Sequence, residues 1–268
     1  MAVLLGSLSA PGIHPLARRS PQRKGFSASR LSIRCCESSP PRDYVPVVKM
    51  CGITTPGDAS RAAAAGASYI GMILWPRSKR SVSISLAREI AAAAREQGAV
   101  PVGVFVDEDA HTIADSCREA GLDCAQLHGS GARAALDGLA SSSSSLRVIY
   151  VAHADKDGSI QTPQPVAGAP VEWTLIDSIQ GGSGESFDWE SLSRPGLGFV
   201  GKRGWFLAGG LKPENVGRAI SLLRPSGVDV SSGIAGPDGI AKDLDRIASF
   251  VSAVHNWRSQ REENALLL

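Results

Sequence analysis

A chain of 268 residues with 43% hydrophobic and 5% aromatic side chains has apolar material for one sizeable core or two small ones. Its formal charge of +2 originates in residues 1–36, which hold Arg18, Arg19, Arg23, Lys24, Arg30 and Arg34 and no acid; the remainder has 22 basic against 26 acidic residues, a balance of −4. That balance argues against a nucleic-acid partner, whose phosphates need a basic face, and no apolar run approaches the ~20 residues of a membrane span.

The acid-free leader is rich in Ser, Arg and small residues and is broken by Pro11, Pro15 and Pro21. Such a segment cannot pack a core, and it has the composition of a transit peptide, with "SIRCCESS" near Cys35 and Cys36 as a small-residue junction. The opening "MAVLLG" is too short for a secretory apolar region, and a merely disordered tail is the alternative reading of the same composition. We therefore expect a leader over 1–36, a linker over 37–44, a folded domain over 45–256 and a tail over 257–268, destined for the chloroplast. The five cysteines include no CxxC pair, so neither zinc nor a disulfide framework is expected, and Cys51 has to be explained alone.

From residue 45 onward, strand-like runs alternate with helix-like ones. "VPVVKM" leads to "TPGDASRAAAAG", where Pro56 suits a first helical turn and Gly66 a stop. "SYIGMIL" precedes "SISLAREIAAAAREQG", "VPVGVFV" precedes "DEDAHTIADSCREAG", and "DCAQLHG" precedes the short "ARAALDGLA". The serines at 141–145 read as a flexible turn, and "LRVIYVA" opens a longer Ser/Pro/Gly-rich connection. "EWTLIDS" is followed by "SFDWESLSRPG", "GWFLAGG" by "PENVGRAISLLRP", and "GVDVSSG" by a final helix with Leu244, Ile247, Val251 and Val254 on one face. Eight apolar strands separated by helices predict a parallel sheet covered on both faces, closed as a single (β/α)₈ barrel. The alternative, an open doubly wound sheet, lacks its GxGxxG fingerprint here.

In such a barrel the C-terminal strand ends share one mouth. They bring together Cys51 after the first strand, "PRSKR" beyond the second, His128 after the fourth, Asp177 ending the sixth, Gly209 and Gly210 after the seventh, and Ser231, Ser232 and Gly233 after the eighth. Two loops of small residues at the last two strand ends expose backbone N–H groups of the kind that hold a phosphate. Trp75, Trp173 and Trp205 adjoin strands, where an aromatic is more often core than a stacking platform.

The runs "KMCGIT", "GMILWPRSKRSVS", "AQLHG", "LIDS" with "GGSGESFDW", "LAGGLKPENV" and "VDVSSGI" followed by "GIAKD" resemble, in order over residues 45–255, the signatures of the phosphoribosylanthranilate isomerases of tryptophan biosynthesis, here of plant plastid type. The resemblance implies a cofactor-free Amadori rearrangement of a phosphorylated sugar-aryl amine, in a monomer or a homodimer. It further implies that Asp177 is the general acid at the furanose ring oxygen, Cys51 the general base at C2′, and Arg80 the partner of the anthranilate carboxylate. Cys51 would then act as its thiolate, and Asp177 would need apolar walls to stay protonated. Gln126, His128 and Asp229 are further pocket candidates, with packing, or capping of the phosphate loop by Asp229, as the alternative. Many family members carry an acid after the "SSG" and aliphatic pair, where this chain has Ala235 and a longer "GPDGIAKD", so the last loop should have its own shape.

Other readings predict different residues. An indole-glycerol-phosphate synthase would want lysine and glutamate at strand ends, and a ribulose-phosphate epimerase a metal-binding His/Asp set. A non-catalytic phosphosugar-binding barrel would have no use for Cys51 and Asp177 together, and in an isolated context Cys51 would pass as an inert buried residue.

Overall fold

The computed structural model describes residues 44–141, 146–165, 169–178, 189, 192 and 201–257. Eight strands stand where the alternating runs place them: β1 Val47–Met50, β2 Tyr69–Ile73, β3 Val100–Phe105, β4 Cys124–Leu127, β5 Arg147–Ala154, β6 Val171–Ser178, β7 Trp205–Leu207 and β8 Gly227–Val230. All neighbouring pairs are parallel, and the sheet closes in the order β1 to β8, with Val47 opposite Gly227 and Met50 opposite Val230. The expected (β/α)₈ barrel is the observed fold.

The helices are α1 Pro56–Ala64, α2 Ile84–Glu96, α3 Ala110–Ala120, α4 Ser130–Ala134, α5 Leu136–Ser141, α6 Val216–Leu223 and α7 Leu244–His255. Their starts are set by local chemistry. The side chain of Thr55 accepts from Asp58 N at 3.0 Å ahead of Pro56, and Asp109 accepts from Thr112 N at 2.8 Å. Left-handed Gly121 ends α3. The one short helix expected in "ARAALDGLA" is two, α4 and α5, joined at Ala135. Of the stripe expected on α7, Ile247, Val251 and Val254 are buried, but Leu244 is 46% exposed. It is the first helical residue after the Asp243 cap and lies beyond the packed layer, which Phe250 and Ala253 complete instead.

Alternation along each strand sorts side chains between two cores. Val48, Met50, Ile70 and Met72 face the helices, whereas Tyr69, Val102, Ile149, Trp173 and Phe206 fill the barrel. Trp173 and Phe206 lie 4.5 Å apart between ring centroids, and Trp173 donates from Nε1 to the Tyr69 hydroxyl at 3.0 Å. These aromatics stand near the strand starts and floor the barrel, leaving chemistry to the opposite end. Trp173 and Trp205 are buried as expected, but Trp75 is not core. It follows the end of β2, and its Nε1 donates to Asp107 at 3.0 Å on the rim of the mouth, beneath the guanidinium of Arg77.

Trp257, expected to begin a tail, is 2% exposed and packs edge-on against Tyr44 at 6.0 Å, so the folded body includes both. The leader at 1–36, the linker before Tyr44, the serine run after Ser141 and most of "GGSGESFDW" lie outside the described residues. No helix among the described residues is long and apolar enough to cross a membrane.

Candidate active site at the C-terminal mouth of the barrel

Residues two apart on a strand share a face, so Cys51, just past β1, points the same way as Lys49. Lys49 is fully buried inside the barrel, and its Nζ donates to Asp229 Oδ1 of β8 at 2.8 Å. The ammonium and the Cys51 sulfur flank the same space beside β2. Gly71 of β2 makes this possible: a Cβ there would lie 2.8 Å from Cys51 Sγ and 3.2 Å from Lys49 Nζ. Burial alone would drive both members of the ion pair towards their neutral forms. The Asp229 carboxylate and the Cys51 sulfur together oppose this, and the pKa of Lys49 is pushed up. Asp229 was expected either to line the pocket or to cap the phosphate loop; its actual partner is Lys49, because the inward face of β8 directs it across the β1–β8 seam.

Asp177 comes from the inward face of β6 and is 8% exposed. Burial, reinforced by the negative charge of Asp229, pushes its carboxyl up to about 7, against the opposing pull of the Ser178 amide, which donates to Oδ1 at 2.8 Å, and of Lys49. The carboxyl sits in the buried surroundings that the sequence reading said it would need to stay protonated. Opposite it in the β5–β6 register is His153, which the sequence reading did not single out. Its ring stands edge-on to that of His128 at 5.2 Å. Burial and the charge of His153 pull His128 down to about 3, and burial and the charge of Arg133 pull His153 down to about 4, so both imidazoles are neutral at physiological pH. Gln126, buried on the same strand, places Nε2 3.5 Å from His128 Nδ1 and leaves Oε1 without a partner among the described residues. A neutral His pair and a free amide oxygen make a polar wall suited to sugar hydroxyls.

Arg80 reaches the mouth from the loop after β2. Its guanidinium donates to the Ser231 hydroxyl, which in turn donates to the Cys51 carbonyl at 3.0 Å. Gly52 is needed beneath it: its φ is +68°, and a Cβ would come within 2.9 Å of Arg80 Nη1. Arg80 Nε is buried without a partner among the described residues.

The two small-residue loops adjoin. Gly233 has no room for a side chain, since a Cβ would lie 2.0 Å from the carbonyl oxygen of Leu211 in the β7 loop. Gly209 and Gly210 are both left-handed, at φ +81° and +66°. No backbone acceptor among the described residues takes either amide, while Asn215 Nδ2 holds the Gly210 carbonyl at 2.9 Å. Those free donors are what an anion requires. The Ser231 hydroxyl is engaged between Arg80 and the Cys51 carbonyl, whereas Ser232 and Gly233 open the 3₁₀ turn Ser232–Ile234. The long last loop folds back so that Ala235 pairs with Lys242. This delivers buried Lys242 Nζ to the carbonyls of Cys51 at 2.9 Å and Ser231 at 3.0 Å, and burial pulls its pKa down to about 8. Lys242 thus ties the β1 end to the β8 loop, a role the "GIAKD" match did not reveal.

Comparison with known proteins agrees with this arrangement. Residues 48–253 match the family model for N-(5'-phosphoribosyl)anthranilate (PRA) isomerase. The chain is 45% identical over 243 residues to the chloroplastic N-(5'-phosphoribosyl)anthranilate isomerase 1 of Arabidopsis thaliana, covering 87% of this chain and 86% of that one. A solved phosphoribosyl anthranilate isomerase in complex with reduced 1-(o-carboxyphenylamino)-1-deoxyribulose 5-phosphate matches at 30% identity with a TM-score of 0.61, over 79% of this chain and 99% of that one. A Thermotoga maritima relative, described as a monomeric form of a dimeric enzyme, matches with the same TM-score, identity and coverage. On fold, sequence and the strand ends alike, the chain belongs to the phosphoribosylanthranilate isomerase family.

Proposed function

We propose that this mouth converts N-(5'-phosphoribosyl)anthranilate to 1-(2-carboxyphenylamino)-1-deoxyribulose 5-phosphate, with Asp177 as general acid and Cys51 as general base. The observation that carries the assignment is the opposed electrostatics of the two groups. A buried carboxyl held up to about 7 is able to donate a proton at neutral pH, while the Lys49 ammonium shares the space at Gly71 with the sulfur that must accept one. Asp177 protonates the furanose ring oxygen, the C1′–O bond breaks and the anilino nitrogen supplies the electrons for a C1′=N iminium. Cys51 removes the C2′ proton, giving an enol whose return to the ketone places a proton on C1′. The rearrangement is an isomerisation and consumes neither oxidant nor reductant.

The free amides of Gly209 and Gly210 support a phosphate site at the β7 loop, joined by the start of the Ser232–Ile234 turn. Arg80, with a buried Nε still to be satisfied, is the donor for the substrate carboxylate. Gln126, His128 and His153 face the ribose hydroxyls. Every group in this account comes from one chain, so a monomer and a homodimer would serve equally. The protein works in the chloroplast, the compartment named for its Arabidopsis relatives, and we assign the targeting leader to residues 1–36.

The direct test is to give the purified protein the substrate and follow the loss of its fluorescence. Turnover is expected; a folded sample that binds the substrate without converting it would leave a phosphosugar-binding barrel. The phosphate assignment has its own check. Gly210→Val forces a β-branched residue into φ +66° and obstructs the amide, so KM should rise on the order of tenfold with a smaller change in kcat. Inorganic phosphate should compete weakly with substrate in the unmodified protein. Unchanged KM together with no phosphate inhibition would put the phosphate elsewhere.

A further inference from the structure

Lys49 and Asp229 form an ion pair in the barrel interior, with Lys49 entirely shielded from solvent. Enclosing two charges carries a desolvation penalty that apolar side chains of similar volume would avoid, as the aromatic floor a layer below does. The pair is directional. Its positive end lies on the Cys51 side, where a Cβ on Gly71 would meet both the sulfur, at 2.8 Å, and the ammonium, at 3.2 Å, and its negative end acts on Asp177. We propose that Lys49 and Asp229 are positioning residues that set the charges around the base and the acid: the ammonium supplies the positive charge beside the Cys51 sulfur, and the carboxylate supplies the negative charge that opposes ionisation of Asp177.

This inference rests on the reading of Cys51 and Asp177 as base and acid. The charged and titratable groups around Lys49 are Cys51 on its own β1 segment, Asp229 of β8, Asp177 of β6, and Cys124 and His128 at the two ends of β4; Arg80 and Lys242 act on Asp229 from the far side. Of these, Lys49 shares the space at Gly71 with the sulfur itself, whereas Lys242, which also interacts with the charge of Cys51, bonds to the Cys51 carbonyl at 2.9 Å. The carboxylate of Asp229 is the like charge that opposes ionisation of Asp177.

The test uses Lys49→Met, Asp229→Asn and the double variant, which leaves no lone buried charge and so keeps the experiment open if a single variant fails to fold. Alkylation of Cys51 by iodoacetamide, mapped by peptide mass spectrometry, should slow at pH 7 by at least about tenfold in Lys49→Met and in the double variant, the loss expected when a neighbouring opposite charge is removed. The acidic limb of the kcat profile should move to higher pH in Lys49→Met, and the alkaline limb to lower pH in Asp229→Asn. KM should change much less than kcat, because neither side chain is assigned a contact with substrate. Folded variants that alkylate at the unmodified rate and keep both limbs in place would overturn the proposal. A purely structural pair would lower activity without moving either limb, and that result would overturn it too. Because alkylation needs no turnover, it reports on the coupling of Lys49 to Cys51 even if turnover in a serine variant of Cys51 were to refute the acid–base reading itself.

Discussion

Asp177→Asn should lower kcat by about 10²–10⁴-fold, the range for losing a positioned general acid. The amide preserves size and some hydrogen bonding but has no carboxylic proton to give to the ring oxygen. In the unmodified protein kcat should fall as pH rises through about 7, where Asp177 ionises, and the variant should lack that limb. Stability should move in the same sense. A folded carboxyl titrating near 7 against an ordinary 3.8 binds its proton more tightly than the unfolded chain does. Its contribution is therefore fully present below pH 3.8 and is lost as pH rises to about 7, with a ceiling of about 4 kcal/mol for a shift of this size. Asparagine does not titrate, so chemical denaturation at pH 4 and pH 8 should show the variant gaining on the unmodified protein at the higher pH. Near-normal kcat would refute the acid assignment; an unchanged stability difference between the two pH values would show that Asp177 is not held protonated.

Much of the fold was legible because a (β/α)₈ barrel repeats one unit, and each apolar run with its caps could be read alone. The residues at strand ends were legible for the same reason: Cys51, Asp177, Gly209 and Gly210 lie at or just past strand ends, and the barrel sends all strand ends to one mouth. What lay one residue deeper was not. In "VPVVKM" Lys49 looks like a polar interruption of an apolar run, yet alternation carries a signal, since any strand that turns Cys51 inward turns Lys49 inward as well. Asp229 was noticed as a pocket or capping candidate, but its partner Lys49 was not, because it sits 180 residues away across the seam that closes the barrel.

His153 and Gly71 depend on register, which sequence periodicity does not supply. His153 meets Asp177 only through the β5–β6 pairing, and Gly71 matters only because two side chains of β1 occupy the space a Cβ would fill. Trp75 was misplaced for a related reason. The apolar run reads on through "MILW", but β2 ends at Ile73, and the indole beyond it bonds to Asp107 at the rim. Lys242 is reached by the fold-back of the last loop, and only the backbone path shows that its ammonium ends on the carbonyls of Cys51 and Ser231.

The base assignment is the part of the account on which the rest depends. Cys51 is buried beside Lys49, and a serine there is nearly isosteric, so Cys51→Ser should fold with a stability loss of only ~1 kcal/mol. An inert packing residue would tolerate the change. A base would not, because a serine hydroxyl is far less acidic than a thiol and yields almost no oxyanion near neutral pH. The unmodified protein should also lose activity to a small thiol alkylator, with substrate protecting it. The most direct measurement is turnover and circular dichroism on one Cys51→Ser sample: the account predicts a native-like spectrum with kcat lowered by at least about 10²-fold. A native-like spectrum with undiminished turnover would contradict it and return Cys51 to the core.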